Sequence, residues 1–435
     1  MPDRRPLILV TWTTRYRDGG RELTLAAETL AAERGATGAE VWPMRVESKA
    51  EFVAALDRVR ATGRLLHELH FLGHSGMYGP MFRTTAVPEQ FSPHEWRTLQ
   101  IPFADGAEAF FHACRTARWF APFFARTFGV RTWGFHWYTT FSRQPNTFAW
   151  PGPRPSAPLY LVGCRGRKSD GLLGSVLKYA GLMPVEPMRA FDPEPVGGEA
   201  SYDGVATLYG EVFADIRVRR DEWRWLEAHW PNGGPCDVLD LGCGTGALLA
   251  ALGPRVRTGH GVDVSAGMVA EARRRHPAHN LHFTQIGGPA LPFPDASFDV
   301  AVSFLSWRYL DWDPVMAELQ RVLRPGGRLL VVDMVTAPVA PRELSDFLRD
   351  SARSALQRQQ DPRFRDALAQ LSRDPGWQTM LKYNPIRAQH EYVWYFESRF
   401  PGRRVERLNV GWSARVLAFD SGPIPQGRIA PQTWP

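Results

Sequence analysis

The sequence predicts an α/β protein with two domains, and three observations support this prediction. The chain has 435 residues, nearly three times the ~150 residues typical of one domain. In the first half, short apolar strands alternate with helical patterns, as in parallel sheets with helical connections. In the second half, a buried strand leads directly into a glycine-rich loop. A stretch rich in proline and glycine, residues 184–198, separates the halves and marks the expected boundary.

Composition limits the classes of protein that fit. Hydrophobic residues make up 44% and charged residues 22%, and no apolar run approaches the ~18 to 20 residues that cross a bilayer, so disorder and membrane spanning are set aside. The N-terminus lacks the apolar stretch of a secretory signal, which predicts a cytoplasmic protein. The four cysteines form no CxxC pair and no cluster with zinc spacing, so no metal site is expected.

The positive charge of the chain is concentrated in one region. The net charge is +7, and residues 111–180 contain ten basic residues and one acidic residue. Such a local excess predicts either a solvated basic face or a site for an acidic peptide or another anionic ligand. The sequence shows no recognised motif for binding nucleic acid.

The first half is predicted to fold from strands and helices in alternation. Strands are expected at residues 7–11, 40–46, 65–72, 107–113 and 130–137. Helices are expected at residues 21–33, 49–61 and 117–128. The third strand runs into His74 and the fourth into Cys114. Because the carboxyl ends of adjacent parallel strands lie at one edge of a sheet, these two side chains are expected to be neighbours.

A cysteine beside a histidine is a candidate nucleophile, because the imidazole accepts the thiol proton and leaves a thiolate. The stretch at residues 112–116, with His74 forty residues upstream, resembles the caspase-like cysteine peptidases, which carry a His-Gly after the third strand and a cysteine after the fourth. The resemblance covers roughly residues 5–145 and implies a caspase-like α/β sandwich with a catalytic dyad. Two positions depart from the family pattern: Ser75 follows the histidine, and Thr116 replaces the motif glycine.

Two other interpretations of this edge are open. Cys114 could be an inert buried cysteine and His74 a hydrogen-bonded turn residue. Alternatively, Ser75 could be the serine of a nucleophile elbow, although Met77 stands where the G-x-S-x-G pattern requires glycine.

The second half contains a glycine loop that differs from the dinucleotide fingerprint. Residues 236–246 read CDVLDLGCGTG, a buried strand followed by G-x-G-x-G, and a helical pattern comes next. A dinucleotide fold uses G-x-G-x-x-G, so that the pyrophosphate rests on the helix N-terminus. Asp240 beside this loop would repel a pyrophosphate but suits a cationic amino-acid group. Further along, Asp263 ends a second strand, where its carboxylate can accept hydrogen bonds from both hydroxyls of a ribose.

Three later elements complete the pattern of this half. They are the Leu-Pro-Phe turn at residues 291–293, the strand at residues 298–303, and the Arg-Pro-Gly-Gly run at residues 324–327 between a helix and the next strand. The ordered set resembles the class I S-adenosylmethionine-dependent methyltransferases from about residue 200 to about residue 420. The resemblance implies a Rossmann-like fold and S-adenosyl-L-methionine as the cofactor.

The resemblance also implies which residues hold the cofactor. This predicted set comprises Tyr209, Asp240, Gly242, Gly244, Thr245, Asp263, Val264, Met268 and Ser303. Met268 is expected to pack on the adenine, although plain core packing is an equal alternative for this residue. The family often has an acidic residue for the adenine amine before the Leu-Pro-Phe turn, but residues 286–290 contain none. Adenine recognition is therefore expected to rest on backbone groups.

No base for the methyl acceptor can be chosen from the sequence; His390 and Tyr392 are candidates. Trp307, Tyr309 and Trp312 are expected to be core or cap residues. Residues 341–385 are expected to form a helical cap over the acceptor pocket, and the last apolar stretches, residues 404–410 and 414–419, to pair as antiparallel strands.

The leading hypothesis is a methyltransferase domain, residues 196–435, fused to a caspase-like domain, residues 1–195. The methyl acceptor is unidentified, and a small molecule is favoured. The alternatives are a cysteine peptidase that uses the methyltransferase domain as a sensor or targeting module, and a silent first domain that serves only for binding or dimerisation.

Overall fold

The computed structural model describes residues 5–16, 19–83, 87–165, 176–194, 201–384 and 386–424. The chain divides into two compact units, with the division between residues 195 and 196. Both units combine helices and β-sheets. Within these described ranges, no helix is both long enough and apolar enough to cross a membrane.

The first unit is built on strands from along its whole length. These strands are β1 (Leu7–Trp12), β2 (Glu40–Arg45), β3 (Leu66–Leu72), β4 (His74–Gly76), β5 (Gly79–Arg83), β6 (Pro88–Gln90), β7 (Phe103–His112), β8 (Arg131–Gly134), β9 (Tyr138–Ser142), β10 (Tyr160–Cys164) and β11 (Arg189–Phe191). Its helices are α1 (Gly20–Gly35), α2 (Lys49–Ala61), α3 (Pro93–Thr98) and α4 (Phe120–Phe128).

The main sheet of the first unit has the strand order β11-β8-β7-β3-β1-β2. From β2 to β8 neighbouring strands are parallel, and β11 joins antiparallel at the edge. Side chains alternate between the two faces of a strand, so Phe71 and Leu72 enter different apolar clusters. The strands and helices predicted for this half are confirmed, with small shifts at their ends.

Several elements of the first unit were not expected from the sequence. The strands β4, β5 and β6 form a small antiparallel sheet, and β9 pairs with β10. The stretch at residues 73–80 is rich in glycine, which is typical of a loop. Its pairing depends on contacts with the rest of the unit: the side-chain amide of Gln90 on β6, for example, donates to the carbonyl of Gly79 on β5.

The second unit contains the glycine loop. Its strands are β12 (Cys236–Leu241), β13 (Val256–Asp263), β14 (Leu281–Gln285), β15 (Phe298–Phe304), β16 (Leu323–Thr336), β17 (Glu406–Val410) and β18 (Ala414–Pro423). Its helices are α5 (Ala206–Val212), α6 (Arg220–His229), α7 (Ala247–Leu252), α8 (Ala266–Arg275), α9 (Trp312–Val322), α10 (Leu344–Gln360), α11 (Pro362–Arg373), α12 (Pro375–Tyr383) and α13 (Gln389–Arg399).

The sheet of the second unit has the strand order β14-β13-β12-β15-β16-β18-β17. The strands from β14 to β16 are parallel, while β18 pairs antiparallel with both β16 and β17. The predicted antiparallel pair near the end of the chain is therefore confirmed. The chain order reverses between β12 and β15, and the crevice at the carboxyl ends of such strands is where ligands bind in open α/β sheets.

One detail of the predicted second half is wrong. The Pro-Gly-Gly run at residues 325–327 was expected to lie between a helix and the next strand. Strand pairing instead begins before the run, at Leu323 opposite Phe298, and the register then shifts so that Arg328 lies opposite Val300. The run is an irregularity within β16, and Gly326 accommodates it with a φ of 80°.

Candidate functional site

The loop between β12 and α7 depends on glycine for its shape. Gly242, Gly244 and Gly246 have φ values of 71°, 50° and 79°, a left-handed conformation that glycine adopts at little cost. At Gly242 space is also short, because a Cβ there would lie 2.4 Å from the Cβ of Ser306. Only glycine therefore fits at position 242 without displacing Ser306.

The neighbouring strand β13 holds this loop in place. The amides of Gly242 and Cys243 both donate to the carbonyl of Val262, at 2.8 and 3.0 Å. On the other side, the hydroxyl of Ser306 donates to the carbonyl of Gly242 at 2.7 Å. The loop is thus fixed between the carboxyl ends of β13 and β15.

Asp263 ends β13 and faces the same loop. One oxygen of its carboxylate accepts the amide of Gly244 and the other accepts the amide of Ser265, both at 2.9 Å. Burial raises the pKa of Asp263, and the amides of Ser265 and Gly244 act in the opposite direction. Each oxygen retains a lone pair for a ligand hydroxyl.

Asp240, in β12 just before the loop, is almost completely buried, with 1% of its surface exposed. Its Oδ2 has no hydrogen-bond partner among the described residues. Burial, followed by repulsion from Asp263, raises the pKa of Asp240 to about 8. An unpartnered buried carboxyl oxygen is costly, and a cationic ligand group at the loop would remove that cost. The loop, Asp263 and Asp240 together fit a ligand that carries an ammonium group and a diol.

Comparison with known proteins agrees with this geometry. Residues 239–331 match the family model described as "Methyltransferase domain". A demethylmenaquinone methyltransferase of Beutenbergia cavernae is 33% identical over 219 residues, which cover 48% of this chain and 87% of that protein. The chain belongs to the S-adenosylmethionine-dependent methyltransferases. The predicted cofactor, S-adenosylmethionine, follows from this membership.

Two further likenesses are shorter. A ubiquinone/menaquinone biosynthesis C-methyltransferase of Hahella chejuensis is 35% identical over 143 residues, 30% of this chain and 57% of that protein. The crystal structure of an S-adenosylmethionine-dependent methyltransferase from Mesorhizobium loti aligns with 29% identity and a TM-score of 0.26 over 27% of this chain and 56% of that one. In both cases the aligned part of the present chain spans little more than half the length of the other protein.

Aromatic side chains border the glycine loop of the methyltransferase. A Cβ built on Gly244 would lie 3.9 Å from the ring of Tyr209 and 4.0 Å from the sulfur of Met268. Met268 is 2% exposed, so it packs in the interior beside the loop. These distances leave a narrow space over Gly244, with Tyr209 on one side.

Tyr202, Tyr309 and Trp377 extend this aromatic border. The hydroxyls of Tyr202 and Tyr309 are 2.8 Å apart and hydrogen-bonded. The ring of Trp377 lies 6.0 Å from that of Tyr202 and 5.9 Å from that of Tyr209. The three tyrosines and Trp377, named here the aromatic wall, come from three separate segments of the second unit.

A buried ion pair between Arg308 and Asp333 contacts the aromatic wall at Tyr309. The guanidinium of Arg308 donates to the carboxylate of Asp333, which is 0% exposed, and lies 4.5 Å from the centroid of the Tyr309 ring. Burial raises the pKa of Asp333, and the Arg308 charge opposes that rise. Sequence reasoning missed this pair, because 25 residues separate its members and no motif contains them. The one indication in the sequence was that Arg308 directly precedes Tyr309.

The remaining residues of the predicted cofactor set differ in their surroundings. Thr245 is buried in the loop, and Val264 beside Asp263 is 64% exposed, an unusual position for an apolar side chain. The hydroxyl of Ser303 donates to the carbonyl of Leu241 at 3.2 Å, which joins β15 to β12. Among the residues that the structure describes, no group of three or more His, Cys, Asp or Glu side chains could hold a metal ion.

The two candidate acceptor bases, His390 and Tyr392, differ in burial. Tyr392 belongs to the main apolar cluster of the second unit, where burial raises the pKa of its hydroxyl well above the usual value, and His390 is exposed. Trp307 and Trp312 lie in the same cluster, so their expected core role is confirmed. Tyr309 instead contacts Tyr202 in the aromatic wall.

At the edge of the first unit, His74 and Cys114 follow strands that are in register. Leu72 of β3 lies opposite His112 of β7, and these are the last paired residues of the two strands. His74 and Cys114 each follow two positions later. The hydroxyl of Ser75 donates to the carbonyl of Cys114. Ser75 itself lies within β4, which pairs with β5. The nucleophile-elbow interpretation is therefore wrong, since that motif needs a strand-to-helix turn.

The sulfur of Cys114 has polar neighbours. The amide of Thr139 donates to Sγ at 3.3 Å, and the Thr139 hydroxyl lies at the same distance. The ring of Tyr16 is 5.7 Å from that of His74. Cys114 is partly exposed, whereas Cys164 is fully buried. An alkylating reagent can therefore reach Cys114 more readily than Cys164.

Replacement of Gly242 by alanine is expected to weaken cofactor binding by about tenfold or more, because a left-handed alanine costs ~1 to 2 kcal/mol and its Cβ meets Ser306. Calorimetry with S-adenosylhomocysteine measures this loss. Gly129→Ala is the matched control, since Gly129 is also left-handed, with φ 68° and ψ 25°, but a Cβ there would have open space around it. Equal affinities for the two variants would contradict a role for the Ser306 contact.

Proposed function

We propose that the methyltransferase acts on a small molecule with a flat hydroxylated ring, such as a phenol or a quinol. The observation that carries this proposal is the aromatic wall beside the glycine loop, because flat apolar surfaces stack on aromatic side chains. The names of the relatives, which refer to menaquinone and ubiquinone, support an acceptor of this class.

Within this proposal, each end of the cofactor has its own binding group. The close-packed glycine loop and the carboxylate of Asp240 receive the amino-acid end, and Asp263 receives the ribose hydroxyls. Val264 and Met268 would hold the adenine, and backbone groups of residues 286–290 would recognise its edge. The residues assigned to the cofactor site are Tyr209, Asp240, Gly242, Gly244, Thr245, Asp263, Val264, Met268 and Ser303.

When bound, the cofactor supplies an electrophilic methyl group on a sulfonium. The task of the protein is to align the acceptor with that methyl and to exclude water. The paired hydroxyls of Tyr202 and Tyr309 hold the acceptor hydroxyl by hydrogen bonding. Burial raises the pKa of Tyr202 well above its usual value, so this hydroxyl stays neutral and orients the acceptor without acting as a base. Arg308 and Asp333 keep the Tyr309 ring in place.

We further propose that residues 1–195 form a caspase-like domain and residues 196–435 the methyltransferase domain. The parallel strand order of the first unit and the matched ends of β3 and β7 support this assignment. In a peptidase reaction, His74 would take the Cys114 proton and the sulfur would attack a peptide carbonyl. The amine would leave with that proton, and water would then hydrolyse the thioester.

Two other roles of the first domain compete with a peptidase that works beside the methyltransferase. The methyltransferase domain could serve as a sensor for the peptidase, or the first domain could be a silent binding module. A cytoplasmic location and an acidic or anionic ligand of the first domain belong to the same proposal.

The affinity for S-adenosylhomocysteine is expected to rise between about pH 6 and about pH 8, by up to about tenfold per pH unit. The reason is that the ligand ammonium needs the Asp240 carboxylate, whose pKa in the free protein is raised to about 8, so binding releases a proton. Asp240→Asn should flatten this dependence. Asp237→Asn is the control, because the Arg257 hydrogen bond lowers the pKa of Asp237 to about 2 and keeps it ionised throughout. An unchanged slope in Asp240→Asn would refute the assignment.

Incubation of the protein with methyl-labelled cofactor and a panel of acceptors tests the substrate class. A naphthoquinol and a catechol are expected to gain one methyl group by mass, and a saturated fatty acid is expected to remain unmodified. Asp263→Ala should lose at least about tenfold of the rate at low cofactor concentration. Labelling of the fatty acid alone would overturn the proposed acceptor class.

Alkylation of the protein with iodoacetamide tests the dyad. Cys114 is expected to react at least about tenfold faster than Cys164, and His74→Ala should slow only Cys114. Peptide mapping by mass spectrometry measures both rates in one sample. If Cys114 of the His74→Ala variant reacts at the wild-type rate, the two residues do not form a dyad. Cleavage of a peptide library that disappears in Cys114→Ala separates a peptidase from a silent domain.

A further inference from the structure

A cavity of about 690 Å³ opens in the first unit beside the segment that follows Cys114. Arg118, His136, Trp137, Arg189 and Phe191 line it. These residues come from three places in the chain: the turn after β7, the turn after β8, and the edge strand β11. The cavity is therefore distinct from the aromatic wall and from the glycine loop, which belong to the second unit.

Among the residues that the structure describes, the arginines of this cavity have no paired carboxylate. Arg118 and Arg189 line it, and Arg115 lies close enough to act on Arg118. Within the described ranges, no carboxylate lies at ion-pair distance from any of the three. The nearby acid, Glu186, lies 3.9 Å from Arg165. This cluster accounts for part of the basic excess that the sequence shows in residues 111–180.

His136 lies close enough to these arginines for their charges to affect its ionisation. Its pKa is lowered by burial and then by repulsion from Arg189 and Arg118, with a smaller effect of Arg115, and Glu186 opposes these effects. The imidazole is thus a neutral group at neutral pH. A neutral imidazole can donate or accept one hydrogen bond at the cavity without adding to the charge.

The guanidinium of Arg118 is held in place before any ligand arrives. Its Nε donates to the carbonyl of His136 at 2.9 Å, and the guanidinium lies over the ring of Trp137, 4.9 Å from the centroid. The two terminal nitrogens remain available for a ligand. A planar donor fork that is already oriented loses little entropy when it binds a two-oxygen acceptor.

We propose that this cavity binds the phosphate group of a small molecule. A phosphate carries a charge near −2 and several acceptor oxygens, which matches Arg118 and Arg189 better than a single carboxylate does. Phe191 also lines the cavity and offers an aromatic surface to a flat group attached to the phosphate. The site requires neither the peptidase nor the methyl-transfer activity.

Calorimetry on the full chain with pyrophosphate, ADP and succinate tests this site. S-adenosylhomocysteine is present at saturation, so that ADP cannot report on the methyltransferase cofactor site. Pyrophosphate and ADP are expected to bind the wild type, and both should bind at least about tenfold more weakly to the double variant Arg118→Gln/Arg189→Gln. Both arginines are exposed, so the variant is expected to keep the wild-type melting temperature.

Arg131→Gln is the matched control. Arg131 is an exposed arginine of β8 that stacks on Trp133 at 5.2 Å and pairs with Asp192 at 3.5 Å, and it is not one of the residues that line the cavity. Tighter binding of ADP than of pyrophosphate would identify a nucleotide as the ligand class, and equal binding would identify the phosphate alone. Unchanged affinity in the double variant would overturn the proposal. Binding of succinate without binding of pyrophosphate would overturn it too.

Discussion

Two consecutive residues at the end of β13 control the geometry of the methyltransferase edge. The carbonyl of Val262 accepts the amides of Gly242 and Cys243, and the carboxylate of Asp263 accepts the amide of Gly244. Three successive loop amides are thus fixed by the neighbouring strand rather than by the strand they follow. The position of the loop therefore depends on the register between β12 and β13, in which Leu241 lies opposite Val262. The surroundings of Asp240, which directly precedes Leu241, depend in turn on the loop.

This arrangement explains why Asp240 can remain buried with an unpartnered oxygen. The amides that might have turned towards Asp240 are already used by β13, so the loop cannot relax to satisfy it. The free energy cost of this carboxyl group is retained in the folded protein until a cationic ligand arrives. A ligand that supplies the missing partner removes this cost when it binds, and the free energy recovered adds to its affinity.

The sequence is informative where contacts are local and uninformative where they are not. The glycine loop, Asp263 at the end of its strand and the succession of strands and helices in the second half could be predicted, because a strand, a turn and a helix follow one another in a short stretch of chain. The pairs Arg308–Asp333 and Tyr202–Tyr309 could not, since each joins segments that meet only in the folded unit. For the same reason the hydrogen bond from the Thr139 amide to Cys114 and the cavity around Arg118 could not be predicted.

The hydrogen bond from the Thr139 amide to the Cys114 sulfur has a spectroscopic consequence. An amide proton bonded to sulfur senses the charge on that sulfur, so its resonance moves downfield when the thiol loses its proton. Thr139 is 5% exposed, and its amide is therefore protected from exchange with solvent. The ionisation of Cys114 can be followed from one backbone signal, with no reagent on the cysteine and no substrate in the tube.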